Sequence, residues 1–231
     1  HVFRRRQRQM CIRDSLSSNE LAIRPDISQQ IARIDQAEES DKEQRYCYVG
    51  EVLKKRKDSF SQSRITIKAG IEIFGGEDNK FETISLLSDS MKIGNLTELT
   101  LSFGKTEILA EIIEPLNLNY NDGIVLNKII SSKSESDLSS WVKDRKVQKD
   151  LVNKLLTLID CNGDLSIISK LKNIQTSDAH LSEIENIWDF IEKETCFSPH
   201  IDLTDFPGFN YHDGLVFSAH SDKYGFSIAN G

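Results

Sequence analysis

SRITIKAGIEIFGG, residues Ser63 to Gly76, is a strand pattern that carries charge on one of its faces. Side chains switch faces at every residue of a strand, so Ile65, Ile67, Ala69, Ile71 and Ile73 share one face. Thr66, Lys68, Gly70, Glu72 and Phe74 share the other. The isoleucine face is expected to be buried. On the opposite face Gly70 leaves a gap between Lys68 and Glu72, and a glycine inside a strand often marks close approach of a ligand or another backbone. A cation, a hole and a carboxylate in a row suit the floor of a pocket for a small zwitterion. The same pattern also fits a half-exposed strand whose charges are simply solvated.

Upstream, RYCYVGEVLKKRKD reads as a second strand running into a basic loop, and Phe60 to Arg64 leads back into the first. Two strands joined in this way form an antiparallel hairpin. Lys54, Lys55, Arg56 and Lys57 on the loop suit phosphate, although a short charge run is more often a solvated loop. Before the hairpin, Leu21 to Arg24 reads as a short strand that Pro25 stops. Ser28 then stands at the N-cap of a helix continued by Ile31 and Ile34. Asp26 falls at this strand-to-helix junction, where an aspartate either serves as a turn or cap residue or aims its carboxylate into a pocket.

Downstream, Asp78 to Lys92 is an amphipathic helix with Phe81, Ile84, Leu87 and Met91 on one stripe. Thr97 to Phe103 alternates as a strand with Leu99, Leu101 and Phe103 inward, and a helix through Ile108, Leu109, Ile112 and Ile113 ends near Pro115. The character then changes. Val147–Ile159, Leu165–Ile174 and Leu181–Ile191 all repeat at helical spacing, with no strand of any strength between Pro115 and Thr195, which predicts a helical insertion. Trp188 falls on the stripe of Ile184 and Ile191 and reads as core. Strands return in Tyr211 to Ala219 and Tyr224 to Ala229, around the turn signal SDKYG.

Composition sets milder bounds. The 231 residues are 28 % charged and 38 % hydrophobic, and no run approaches the ~20 apolar residues of a membrane span. Cys11, Cys47, Cys161 and Cys196 are scattered without a CxxC pair, and His212 has no second ligand at metal spacing, so reduced thiols in a cytoplasmic protein and no metal are expected. The opening HVFRRRQRQMCIRDS has no signal-peptide core, and RQRQMCIRDS resembles translated sequencing-adapter sequence, so residues 1–15 are set aside. Removing five arginines and one aspartate from 29 basic and 36 acidic residues leaves 24 and 35, a formal charge of −11, which disfavours nucleic acid as a partner. No GxGxxG, Walker or GxSxG motif is present, so no catalytic residue and no cofactor is nominated.

RPDIS, RYCYVGEVLKKR…SR…KAGIEIFG and FNYHDGLVF…IANG, in that order, resemble the histidyl-tRNA synthetase-like core of class II synthetases. The resemblance is closer to a non-synthetase branch, the regulatory subunits of ATP phosphoribosyltransferase. It implies an α+β fold, a class II synthetase-like antiparallel sheet flanked by helices, with core segments 16–114 and 196–231 and a helical subdomain inserted at 115–195. Segments like the first and third class II motifs are missing, and IANG stands where relatives continue with a GGRYD-like strand, so the chain is expected to be incomplete at both ends.

The resemblance also implies roles, position by position. Asp26, Ser28 and Glu72 match positions that contact histidine in the family, and Tyr211 with His212 replace its paired tyrosines. Lys68 stands where a glutamine is usual, beside the ligand's ammonium. At the ATP site Lys54 replaces an arginine, Arg56 replaces an acid two residues on, and Pro207 replaces a second arginine. Without those arginines the cations that neutralise the reacting carboxylate and phosphate are lost. The implied protein is a non-catalytic subunit that binds short-form ATP phosphoribosyltransferase and senses L-histidine, as a homodimer within a hetero-oligomer. The alternatives are a fragment of a histidyl-tRNA synthetase and a stand-alone amino-acid-binding paralogue.

Overall fold

A computed structural model describes residues 10–13, 20–23, 26–38, 42–53, 63–76, 79–204 and 214–231, the first two segments as backbone only. The chain divides into two compact units, His1–Asn79 and Lys80–Gly231.

In the first unit, β1 (Met10–Arg13) pairs antiparallel with β2 (Glu20–Ile23), so part of the adapter-like segment is paired backbone. Helix α1 (Ser28–Glu38) follows, then β3 (Gln44–Leu53) and β4 (Ile65–Phe74). The last two form the expected hairpin, antiparallel along ten residue pairs from Gln44↔Phe74 to Leu53↔Ile65. Antiparallel pairing puts directly opposed residues on one face, so Tyr46, Tyr48, Gly50 and Val52 lie with Glu72, Gly70, Lys68 and Thr66. That face, not the isoleucine face, is the covered one. Ile27, Ile31 and Val52 are buried together there, and Tyr46, Tyr48 and Phe74 pack against them. Val49, Ile65 and Ile67 on the other face are 76 %, 54 % and 72 % exposed. The expectation that the isoleucines are buried is therefore corrected: within this unit the described helix covers the charged face.

The second unit is built on a five-stranded sheet. Helix α2 (Lys80–Ile93) precedes β5 (Leu99–Lys105), α3 (Thr106–Ile113) and a 3-10 turn at Glu114–Leu116, where Pro115 blocks further α-helix. Helices α4 (Tyr120–Ser131), α5 (Glu135–Arg145), α6 (Lys149–Ile159), α7 (Ile167–Asn173) and α8 (Asp178–Glu194) occupy the region read as an insertion, with the two-residue β6 (Asn162–Gly163) among them. Asn119 and Ser134 cap α4 and α5 by accepting from the amides of Asp122 and Asp137. Strands β7 (Phe197–Asp202), β8 (Leu215–Ser221) and β9 (Ala229–Asn230) close the unit, in the order β6-β7-β5-β8-β9. β5 lies at the centre, parallel to β7 and antiparallel to β8.

Leu99, Leu101 and Phe103 point inward as their alternation requires, into one core with Ile84, Leu155, Leu171, Ile184 and Ile191. Trp188 packs at the edge of that core, as its stripe position predicts. At the end of β5, Lys105 is only 4 % exposed, and its ammonium is paired with Glu183, which also accepts from Lys80 at 2.7 Å. Burial alone would raise the Glu183 pKa, but the hydrogen bonds and charge of Lys105 and Lys80 outweigh it and hold the pKa below the ordinary 4.5.

A group that titrates lower in the folded chain contributes stability above its unfolded pKa and loses it as pH falls through the folded one. Glu183→Gln is thus expected to lower stability at neutral pH by about 1–3 kcal/mol, because it removes the nearer carboxylate from the buried Lys105 and leaves only Glu107, at 3.6 Å. The same substitution should flatten the fall in melting temperature toward acid. Thermal unfolding from pH 7 to 3 checks both.

Candidate functional site

Four of the six residues nominated for histidine lie on described parts of the first unit, and the hairpin gathers them. Lys68 and Glu72 project from the covered face of β4, and Asp26 and Ser28 come to it from the start of α1. The Lys68 ammonium donates to Asp26 Oδ1 at 2.8 Å. Asp26 also accepts from the amide of Ile27 at 2.7 Å and from that of Ser28. It therefore caps α1 and holds the lysine at once, while Ser28, expected as the cap, is the first helical residue. The hydroxyl of Ser28 instead lies 3.2 Å from that of Tyr48.

Tyr48 is the residue that the sequence reading missed. It sits directly opposite Gly70, and a Cβ built on Gly70 would fall 2.4 Å from both Cζ and Oη of the tyrosine. The gap at Gly70 is therefore filled by a phenol ring and is not open floor. The Tyr48 hydroxyl reaches Glu72 Oε1 at 3.5 Å, a long contact, beside its contact with Ser28. The signal that could have found it is cross-strand pairing: an aromatic opposed to a strand glycine lays its ring over the missing side chain. Next to it Tyr46 donates to Glu38 at 3.0 Å, which ties the last turn of α1 to the hairpin. Partial burial and the Glu38 carboxylate push the Tyr46 pKa up to about 12.

Electrostatics at this face are set by the ion pair. Burial would raise the Asp26 pKa, but the Lys68 hydrogen bond, the helix amides and the lysine's charge hold it below its ordinary value. For Lys68, burial acts downward and is outweighed by Asp26, with a smaller contribution from Tyr48, so its pKa is raised. Both side chains remain 41 % exposed, so solvent screens much of the attraction.

Tyr211 and His212 lie outside the described residues, as do Lys54, Arg56 and Pro207 of the degenerate ATP site. Among the described residues no group of three His, Cys, Asp or Glu could hold a metal ion, and no helix is long and apolar enough to cross a membrane. A separate open cleft of about 440 Å³ lies in the second unit, lined in part by Leu116, Leu118, Asp122, Trp141, Arg145 and Leu151. There the Arg145 guanidinium stacks 4.5 Å from the Trp141 ring centroid and pairs with Asp122.

Comparison with known proteins agrees with the motifs. The sequence model of the histidyl-tRNA synthetase family matches residues 4–231. A curated relative, the ATP phosphoribosyltransferase regulatory subunit of Thioalkalivibrio sulfidiphilus, is 26 % identical over 230 residues, covering 94 % of this chain and 58 % of that protein. The protein of the same name from Saccharophagus degradans is 29 % identical, with 95 % and 58 % covered. The chain thus spans a little over half the length of these relatives. Among solved structures, an ATP phosphoribosyltransferase regulatory subunit/histidyl-tRNA synthetase from Bacillus halodurans C matches with a TM-score of 0.78 at 18 % identity, over 96 % of this chain and 60 % of that one. A chain of the ATP phosphoribosyl transferase (HisG:HisZ) complex from Thermotoga maritima gives 0.73 at 14 % identity, over 96 % and 78 %. These likenesses show the fold, a class II synthetase-like α+β arrangement.

Replacing Lys68 by Met removes the partner that lowers Asp26 while leaving the burial that raises it. In Lys68→Met the Asp26 carboxyl is expected to titrate at higher pH than in the parent. Carbon-13 NMR of the side-chain carboxyl against pH reads the shift, and an unchanged midpoint would show that the ion pair does not form in solution.

Proposed function

This chain belongs to the histidyl-tRNA synthetase family, and on that footing we propose that it serves in a regulatory subunit of ATP phosphoribosyltransferase, not in a synthetase. The full-length protein would bind the short-form catalytic subunit in the cytoplasm, as a homodimer within a hetero-oligomer, and report L-histidine to it. The curated relatives carry that name, and a solved complex of the same fold joins two kinds of subunit. Residues 16–114 and 196–231 would form the synthetase-like core, with 115–195 inserted.

The observation that carries the histidine reading is the gathering of Asp26, Ser28, Lys68 and Glu72 on one face. Asp26 offers a carboxylate already seated on an ammonium, the group that an amino acid would bring. Glu72 offers one for an imidazole N–H, and such a charge-assisted bond is worth about 1.5–3 kcal/mol net. Tyr211 and His212 would complete the pocket. Lys54, Arg56 and Pro207 would leave the ATP site without the planar bidentate fork of arginine. Regulation then follows as a coupling free energy: histidine binds one conformation of the subunit better and biases the catalytic partner toward it.

The Lys68–Asp26 pair supports an occluding role for the lysine. Lys68→Gln in the full-length protein is expected to tighten histidine binding and Glu72→Gln to weaken it, both read by titration calorimetry. Co-purification with the catalytic subunit, and no histidine-dependent pyrophosphate exchange, are the further expected results. Exchange above background would establish the synthetase reading in their place. Unchanged affinity in Glu72→Gln would move the pocket elsewhere.

A further inference from the structure

We propose that Tyr48 is a latch on this site: its phenol occupies the space over Gly70 that a ligand needs, and its hydroxyl engages groups that the ligand would use. This rests on the histidine reading and extends it to a residue that reading did not use. Three observations meet at the ring. Gly70 is the position on the β4 face with no side chain between Lys68 and Glu72, and the Tyr48 ring lies against it so closely that a methyl group there would collide. The hydroxyl contacts Ser28 at 3.2 Å and Glu72 at 3.5 Å. The side chain also packs against the cluster of Ile27, Ile31 and Val52, so the residue combines apolar packing with a polar tip.

Together with Lys68, the latch supplies from within the chain the groups that a ligand would bring. The lysine ammonium sits on Asp26 as a ligand ammonium would, and the phenol O–H is offered to Glu72 as an imidazole N–H would be. What displaces both must bring an ammonium and a second N–H donor at once. That selects a zwitterionic amino acid with a donor-bearing side chain over an aliphatic one. Displacement leaves the backbone intact. The hydroxyl contacts are long, and an aromatic side chain moves by rotation about two torsions without breaking the ten-pair strand ladder beneath it, giving up part of its packing against Ile27, Ile31 and Val52.

The test is Tyr48→Phe in the full-length protein, which keeps the ring and deletes the hydroxyl. Losing the weak hydroxyl interactions with Ser28, Glu72 and Lys68 is expected to tighten L-histidine binding about two- to tenfold in calorimetry. A second measurement follows the ring directly. In glycine-labelled wild type the Gly70 Hα resonance should be ring-current shifted without ligand and return toward the ordinary glycine position as histidine saturates the protein. Weaker or unchanged binding by Tyr48→Phe, or a Gly70 signal that stays put while histidine binds, overturns the latch and leaves the histidine reading standing. Histidine binding by neither protein overturns both.

Discussion

The pairing register of one hairpin governs the candidate site. Because side chains alternate with a period of two, sliding β3 against β4 by one residue would exchange the faces of every residue on one strand relative to the other. In the observed register Tyr48 faces Gly70, Gly50 faces Lys68 and Tyr46 faces Glu72. The first of these pairs is sterically conditional: Tyr48 can lie over Gly70 only because that residue has no Cβ. Lys68, opposite Gly50, reaches Asp26 at 2.8 Å.

The two units are held by different forces. In the second, β5 is flanked by strands on both sides and buried at five of its seven positions, within a core drawn from helices and sheet alike. In the first, the buried apolar cluster among the described residues is Ile27, Ile31 and Val52, and polar contacts make up much of the rest: Lys68 to Asp26, Tyr48 to Ser28, Tyr46 to Glu38. Segments with few buried apolar contacts open at low free energy, and elements that respond to ligands come from that end of the range. The proposed binding face would lie on a unit of that kind.

Much of the fold was legible in the sequence because its signals are local. The hairpin, the helix of Phe81, Ile84 and Met91, and the alternation of Leu99, Leu101 and Phe103 each follow from period and spacing over about ten residues. What failed was a question of which partner covers which face. Ile65 and Ile67 alternate as a buried set should, yet period alone does not say which face meets α1, and the hairpin meets it through its tyrosines. The site was half legible for the same reason. Lys68, Glu72, Asp26 and Ser28 could be placed by strand parity and by motif, whereas the fate of the hole at Gly70 depended on a residue 22 positions away in the chain. Reading it required the register first and the cross-strand neighbour second.

A site that closes on its own side chains has a consequence for sensing. When the binding-competent state is only a fraction of the population, the apparent dissociation constant rises by the inverse of that fraction. In the proposed site, Lys68 on Asp26 and Tyr48 over Gly70 would both add to the closed fraction and so raise the ligand concentration at which the site fills. An enzyme that must capture its amino acid gains nothing from such internal competitors. A subunit of the proposed kind, silent until an end product accumulates, would gain its threshold from them. On the proposed reading, the lysine that the family resemblance sets against a glutamine at position 68 would be the change that sets the response point, and its ion pair with Asp26 the physical form of that setting.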